Sequence, residues 1–259
     1  MKSIILAAGY GTRLAKSAES MEECELKHIL MDNPKPLAPI RGKPILEHLV
    51  KDLESIDNLD EIFIITNDSH YPKYEEWRKK YHSKKRIEII NDGTKSNETR
   101  LGAIRDIYAV IQQKNIHEDT VILCGDNVMS WDIKDFLAYF KQMKHSVTAT
   151  MDLGSKELVK RFGVLELGPY NRIIGFEEKP QNPKTTLASV SVYIFKKEDL
   201  ALVDTYLKKG LNPDAPGFFI QWLSKQTDIY AYIFDQNKGQ RWFDIGNLET
   251  YKEACKTYK

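Results

Sequence analysis

The chain has 259 residues, 42% hydrophobic and 29% charged, a composition that can bury a sizeable core as one large α/β domain or a core domain with an embedded subdomain. Lysine and arginine number 38 against 37 aspartates and glutamates, so the formal charge is +1 and dispersed, which excludes the electrostatic footprint of a general nucleic-acid binder. Cys24, Cys124 and Cys255 show no CxxC or zinc spacing, Met1 runs directly into an apolar stretch, and no apolar run nears the ~20 residues of a membrane span, so a reduced, cytoplasmic protein without a membrane partner is expected.

Ile4-Ile5-Leu6-Ala7-Ala8 reads as a buried parallel strand delivering a tight turn, Gly9-Tyr10-Gly11. The two glycines let backbone N–H groups approach a bulky anion, and Thr12 and Arg13 add a hydroxyl and a permanent cation. Lys35, held between Pro34 and Pro36, is a second cation with little freedom. The dinucleotide fingerprint would need a glycine where Leu14 stands, and the P-loop would need Gly-Lys-Ser/Thr opening a helix, so neither fits. Between the two segments, 15–33 is acidic and helix-favouring; it reads as a solvated loop or short helix, with a lid over a nucleotide as the alternative, and His28 reads as a surface histidine.

Pro44 and the apolar spacing of Ile45, Leu46, Leu49, Val50 and Leu53 predict a helix, followed by a strand at 61–66, a helix at 71–81, a strand at 86–91, a helix at 101–112 and a strand at 120–124. Lys84-Lys85-Arg86 reads as a solvated helix end. The alternation implies right-handed crossovers and a mostly parallel sheet, with ligands at the carboxyl ends of its strands. The loop 92–100 falls at such an end. Asp126, just beyond the strand that closes in Cys124-Gly125, lies where Mg²⁺ bridging nucleotide phosphates would need a hard oxygen ligand.

After Ser146 the pattern turns antiparallel: strands are expected at 146–153, 162–167 and 173–177, with a turn at 168–171, then a strand at 187–195. Helices at 197–207 and 218–224, a punctuated loop at 212–217, a strand at 229–234 and a terminal helix at 248–257 complete the chain, Asn247 being suited to cap the last.

The segments LAAGYGTRL and PKPLAPIRGKPILEHLV, with EEKP at 177–180 and WFDIGN at 242–247, together resemble the sugar-1-phosphate nucleotidylyltransferases, of the glucose-1-phosphate thymidylyltransferase and uridylyltransferase kind. The resemblance implies a Rossmann-like three-layer α/β/α fold with a mostly parallel central sheet and a small antiparallel sugar-binding subdomain. In that reading 1–259 is a single nucleotidyltransferase domain, 1–145 mainly holding the nucleotide and 146–259 mainly the sugar phosphate. No hexapeptide repeat follows the last helix, so an appended acyltransferase β-helix is not expected.

The activity implied is Mg²⁺-dependent transfer from a nucleoside triphosphate to a sugar 1-phosphate, with pyrophosphate leaving. Glucose 1-phosphate with UTP or dTTP leads; a cytidylyl- or guanylyltransferase acting on another phosphorylated alcohol or sugar, and a non-catalytic nucleotide-sugar sensor, are the alternatives. By resemblance, Arg13, Lys35 and Lys179 serve catalysis, and Leu6, Ala8, Gly9, Gly11, Thr12, Thr94 and Gly102 bind the nucleotide. Asn127, Gly163, Glu178, Lys179 and Ser191 face the sugar phosphate, and Asp244 joins Asp126 as the second metal ligand. The partners expected are these two small molecules, without nucleic acid, and a homo-oligomer is left open. The reading requires residues 13, 35, 126, 179 and 244 to gather at one rim of the sheet.

Overall fold

The computed structural model describes residues 1–258, apart from the side chain of Glu25. Strand β1 (Lys2–Leu6) lies at the heart of the sheet because its isoleucines are buried on both faces, Ile4 in one hydrophobic core and Ile5 in the other. It is followed by α1 (Thr12–Ala18), α2 (Glu25–Asp32), a 3₁₀ turn at Lys35–Leu37, the two-residue strands β2 (Pro39–Ile40) and β3 (Lys43–Pro44), and α3 (Ile45–Glu54). The insert therefore folds as two short helices. Leu30 and Ala18 tuck into the core while His28 stays on the surface beside Glu23.

Next come β4 (Glu61–Thr66), α4 (Tyr71–Lys80), β5 (Arg86–Asn91), α5 (Ala103–Lys114) and β6 (Thr120–Cys124). Lys84 and Lys85 lie in the connection from α4 to β5, not on a helix end, and Arg86 opens the strand. Helix α5 starts two residues later than the apolar pattern implied, because Gly102 holds a φ of +89° that no α-helix can contain. Strands β6, β1, β4 and β5 are parallel neighbours in that order.

The stretch 128–145 had received no assignment from sequence. It begins within β7 (Asn127–Met129) and continues into α6 (Ile133–Met143), where Asp132 accepts the Lys134 N–H and Ile133, Phe136, Leu137 and Phe140 are buried. The second half comprises β8 (Ser146–Asp152), α7 (Lys156–Val159), β9 (Gly163–Leu167), β10 (Ile173–Glu178), β11 (Leu187–Phe195), α8 (Lys197–Leu200) and α9 (Leu202–Lys208). It ends with α10 (Pro216–Leu223), β12 (Ile229–Ile233), β13 (Trp242–Asp244) and α11 (Leu248–Thr257). The helix expected over 197–207 is thus divided at Ala201.

Strands β8 to β11 do not form a sheet of their own. They extend the parallel half through β11 into one nine-stranded sheet, in which β12 lies parallel to β8. Alternate residues of the central strands feed opposite sides: Ile62 and Ile64 join one core with α3, α6 and α11, and Phe63 and Ile65 join the other with α5, α9 and α10. Fully burying one such side chain contributes about 1.5–3 kcal/mol, so the three layers hold one another in register.

Two departures from regularity position the cleft. On one edge of β11, β9 pairs with Ala188 and Ser189 and β6 with Val192–Phe195, leaving Val190 and Ser191 unmatched between the end of β6 and the start of β9. On the other edge β8 shifts register between Ser189 and Tyr193. A two-stranded ribbon, β7 with β13, then lays the carboxyl-terminal segment across the end of β6, pairing Asp244 with Asn127.

Candidate active site

A cleft of about 510 Å³ opens where the ladder is interrupted, lined by Cys124, Gly163 and Ser191 at the gap and by Arg13, Asp126, Lys179 and Asp244 around it. Each charged side chain arrives from a different element. Arg13 projects from the first turn of α1, and Asp126 follows the buried strand β6. Asp244 ends β13 and is tied to its neighbour by the Ile245 N–H, which donates to the Asp126 carbonyl at 3.0 Å. Lys35 reaches the same place from its proline-flanked turn, and its Nζ donates to Asp126 Oδ2 at 2.7 Å with only 11% of its side chain exposed. The five positions 13, 35, 126, 179 and 244 therefore do converge.

The two carboxylates press on each other. Burial, and next the Asp126 charge, push the Asp244 carboxyl up to about 6, while Lys35, Arg161 and Arg13 pull it down. Arg161, absent from the candidates read off the sequence, also lines the site. Its Nη2 lies 3.7 Å from Asp244 Oδ2, and its guanidinium sits 5.7 Å from the Phe162 ring centroid. Phe162 stands edge-on to Trp242 at 5.0 Å, and Trp242 Nε1 donates to Asn127 Oδ1 at 3.1 Å. The signal in the sequence was a cation abutting Phe-Gly; the carboxylate it approaches, Asp244, lies far along the chain.

Glu178 sits on the opposite wall, its side chain 7% exposed. Burial raises its pKa, Lys179 opposes the rise, and Asp214 adds to it. Its placement is steric. A Cβ on Gly163 would come within 2.9 Å of Glu178 Oε2, and one on Gly217 would overlap that oxygen outright. Gln221 Oε1 accepts the Glu178 N–H at 3.0 Å. Lys179 and Ser191 both hold left-handed backbone, φ +50° and +58°, and both line this cleft although neither is glycine. Lys179 Nζ is 3.9 Å from Glu178 Oε1, with 53% of its side chain exposed.

The remaining sequence candidates lie along the rim beside β1 and outside the cleft lining itself. The Leu6 carbonyl accepts the Gly125 N–H, the Ala8 carbonyl accepts Asn67 Nδ2, and Gly9 and Thr12 are exposed. Gly11 is left-handed and packs by Lys35. Thr94 is buried, its hydroxyl bonded to Tyr10 Oη at 3.0 Å and to Asp92 Oδ1 at 2.8 Å, so it ties the loop 92–100 to the glycine turn. Gly102 is covered by Pro213.

Asp126 after β6 and Asp244 at the end of β13 are a hard-oxygen donor pair of the kind that would suit a divalent cation. Burial and then the Asp126 charge raise Asp244, and a cation between the two carboxylates would offset both.

Known proteins share this framework. The bifunctional protein GlmU of Methanocaldococcus jannaschii is 31% identical over 206 residues, which are 79% of this chain and 42% of GlmU, so the chain spans less than half the length of that relative. A Bacillus anthracis protein assigned as a glucose-1-phosphate thymidylyltransferase, solved with sucrose, has the same fold with a TM-score of 0.77 at 20% identity, covering 99% of this chain and 94% of its own. A UDP-glucose pyrophosphorylase solved with UDP-glucose gives 0.73 at 20% identity, covering 99% of this chain and 97% of that one. Among the described residues, no helix is long and apolar enough to cross a membrane. Residues 2–259 match the nucleotidyl transferase family, and the chain belongs to it.

Proposed function

We propose that this cleft joins a nucleoside triphosphate to a sugar 1-phosphate, with glucose 1-phosphate and UTP or dTTP as the leading pair. The observation that carries the reading is the convergence of Asp126 and Asp244 with Arg13, Lys35 and Lys179 around one opening. The thymidylyltransferase and UDP-glucose pyrophosphorylase that share the fold support the choice of substrates. In this reading residues 1–145 mainly serve the nucleotide and 146–259 the sugar phosphate, in a cytoplasmic enzyme.

A sugar 1-phosphate oxygen attacks the α-phosphorus; the new O–P bond forms as the bond from the α-phosphorus to the bridging oxygen breaks, and pyrophosphate carries that oxygen away. A phosphate monoester, with a second pKa of about 6, is already largely dianionic near neutrality and needs no strong base. The protein must instead hold two anions together and neutralise charge on the leaving group. Arg13 meets the β- and γ-phosphates. Lys35 turns from Asp126 to the α-phosphate, and Lys179 meets the incoming phosphate. Leu6, Ala8, Gly9, Gly11 and Thr12 line the nucleotide's path, with Thr94 and Gly102 beside the base. Glu178 accepts hydrogen bonds from sugar hydroxyls, with Asn127, Gly163 and Ser191 around the ring. Asp126 and Asp244 would hold Mg²⁺, which supplies charge neutralisation at the phosphates when bound.

Pyrophosphate release from four nucleoside triphosphates, each offered several sugar 1-phosphates in the presence of magnesium, tests the reading. The expected result is release that requires both substrates and is strongest for one pair. No release with any pair overturns it; binding without turnover would point to a sensor, and transfer without pyrophosphate to a glycosyltransferase.

A further inference from the structure

The loop 212–215 and the first residues of α10 have one face in the cleft and the other against the start of α5. Asp214, Ala215, Pro216 and Gly217 line the cleft, and Gly217 packs against the carboxylate of Glu178. On the loop's far side the Ala103 N–H donates to the Asp214 carbonyl at 3.2 Å, and the Ile104 N–H donates to the Pro213 carbonyl at 2.9 Å. The first turn of α5 is thus capped by backbone from the other half of the chain. The contact has no slack: a Cβ on Gly102 would lie 2.6 Å from the Pro213 carbonyl oxygen and 3.1 Å from the Asp214 Cα, so backbone meets backbone with no side chain between.

A charged clasp closes the joint. Arg100 Nε and Nη2 both donate to Asp214 Oδ1, at 3.2 and 2.9 Å, and its Nη1 donates to the Asn97 carbonyl at 3.1 Å. The loop 92–100 is anchored at its other end through Thr94 to Tyr10 of the glycine turn. Loop 212–215 is held from behind, Tyr206 Oη donating to the Asn212 carbonyl at 2.6 Å and Asn212 Oδ1 accepting the Asp214 N–H at 3.0 Å. A continuous run of contacts therefore leads from the loop 92–100, beside the proposed base, through Arg100, Asp214 and Gly217 to Glu178. Where Gly102 meets Pro213 it is backbone on backbone, the kind of contact that passes a shift from one segment to the other.

We infer that Arg100 and Asp214 are positioning residues that couple the two substrate sites, so that a nucleotide ordering the base loop also sets the wall that receives the sugar 1-phosphate, and the reverse. The inference rests on the substrate reading above. Coupling of this kind is reciprocal: each ligand must tighten the other by the same factor. For a half-exposed ion pair supporting two backbone hydrogen bonds, the factor due to the clasp is about two- to fivefold.

The test is calorimetric titration with two probes, glucose 1-phosphate and the non-hydrolysable α,β-methylene analogue of UTP, each titrated alone and with the other saturating. The unmodified enzyme should bind each probe more tightly in the presence of the other, by equal factors. Arg100→Ala and Asp214→Asn should each shrink that factor toward one, the double variant should lose little more than either single variant, and the exchanged pair Arg100→Asp with Asp214→Arg should restore part of it. A merely structural role would lower both affinities and leave their ratio unchanged. Independent binding by the unmodified enzyme, or a ratio untouched in the variants, overturns the coupling alone. Failure of either probe to bind overturns the coupling together with the glucose and uridine reading.

Discussion

The two walls of the cleft are built by different physics. Around Asp126 and Asp244 the groups are placed by charge: Lys35 is drawn to Asp126, Arg161 leans toward Asp244, and the two carboxylates repel. Around Glu178 they are placed by shape, because Gly217 leaves the carboxylate a space that a Cβ would fill and Gly163 leaves room for the Phe176 ring beside it. The charged wall can exchange partners when anions and a cation arrive, since its contacts are ion pairs at a partly open rim. The shaped wall holds its carboxylate by close packing, which suits it to the proposed contact with sugar hydroxyls.

Breaking the charged wall should have the largest effect. Asp126→Asn removes the partner of Lys35 and half of the proposed cation site; turnover should fall on the order of a hundred- to a thousandfold with the fold intact, and a near-normal kcat in the purified variant would refute the assignment. Arg13→Ala should lower kcat within the same range, because its guanidinium is proposed to act on the leaving pyrophosphate. Steady-state kinetics beside a thermal melt separates lost chemistry from lost structure.

The shaped wall should fail differently. Gly217→Ala puts a methyl where Glu178 Oε2 now sits, and should raise KM for the sugar 1-phosphate about tenfold or more while changing KM for the nucleotide much less. If both constants rise together, the wall is not specific to the sugar side.

A third measurement sharpens the contrast by asking what becomes of a buried carboxyl that has neither cation nor slot. Asp106 in α5 is buried, its Oδ1 has no hydrogen-bond partner, and burial followed by the Asp92 charge pushes its pKa up to about 8. The folded chain keeps a proton there that the unfolded chain releases above about pH 4, so this group's stability contribution is complete below that pH. It is lost progressively as pH rises toward 8, where the folded carboxyl ionises too. Asp52, raised by burial to about 7, adds a loss of the same sign. Thermal midpoints should therefore decline from pH 5 to pH 8, and Asp106→Asn should flatten that decline and stabilise the protein at pH 8 by about 1–3 kcal/mol. An unchanged slope in the variant would show that Asp106 does not hold the proton.

Much of the framework was legible because its signals are local. The strands at Glu61–Thr66, Arg86–Asn91, Thr120–Cys124 and Leu187–Phe195, and the helix at Leu248–Thr257, have the expected limits. Apolar runs bounded by polar or small residues specify strands of that length, and Asn247 caps the last helix by accepting the Thr250 N–H. Helix α6 carries an equally local signal in Asp132 and the spacing of Ile133, Phe136, Leu137 and Phe140, although no element was expected there. Gly102 hid the start of α5, since a glycine within a helical pattern reads as tolerated until its backbone angle is seen.

Composition, periodicity and the glycine and proline punctuation were enough to determine an α/β chain with a phosphate-suited turn after its first strand and a carboxylate, Asp126, beyond another. Only the tertiary structure decided that β11 would be shared between β6 and β9 so as to leave a gap at Ser191, that Arg161 would lie over Asp244, and that loop 212–215 would cap α5. Hydrophobic patterning is written into neighbouring residues and survives being read alone. Which strand edges meet, and which charge finds which, is settled by the packing of segments as far apart as Arg100 and Asp214, and no local window contains both.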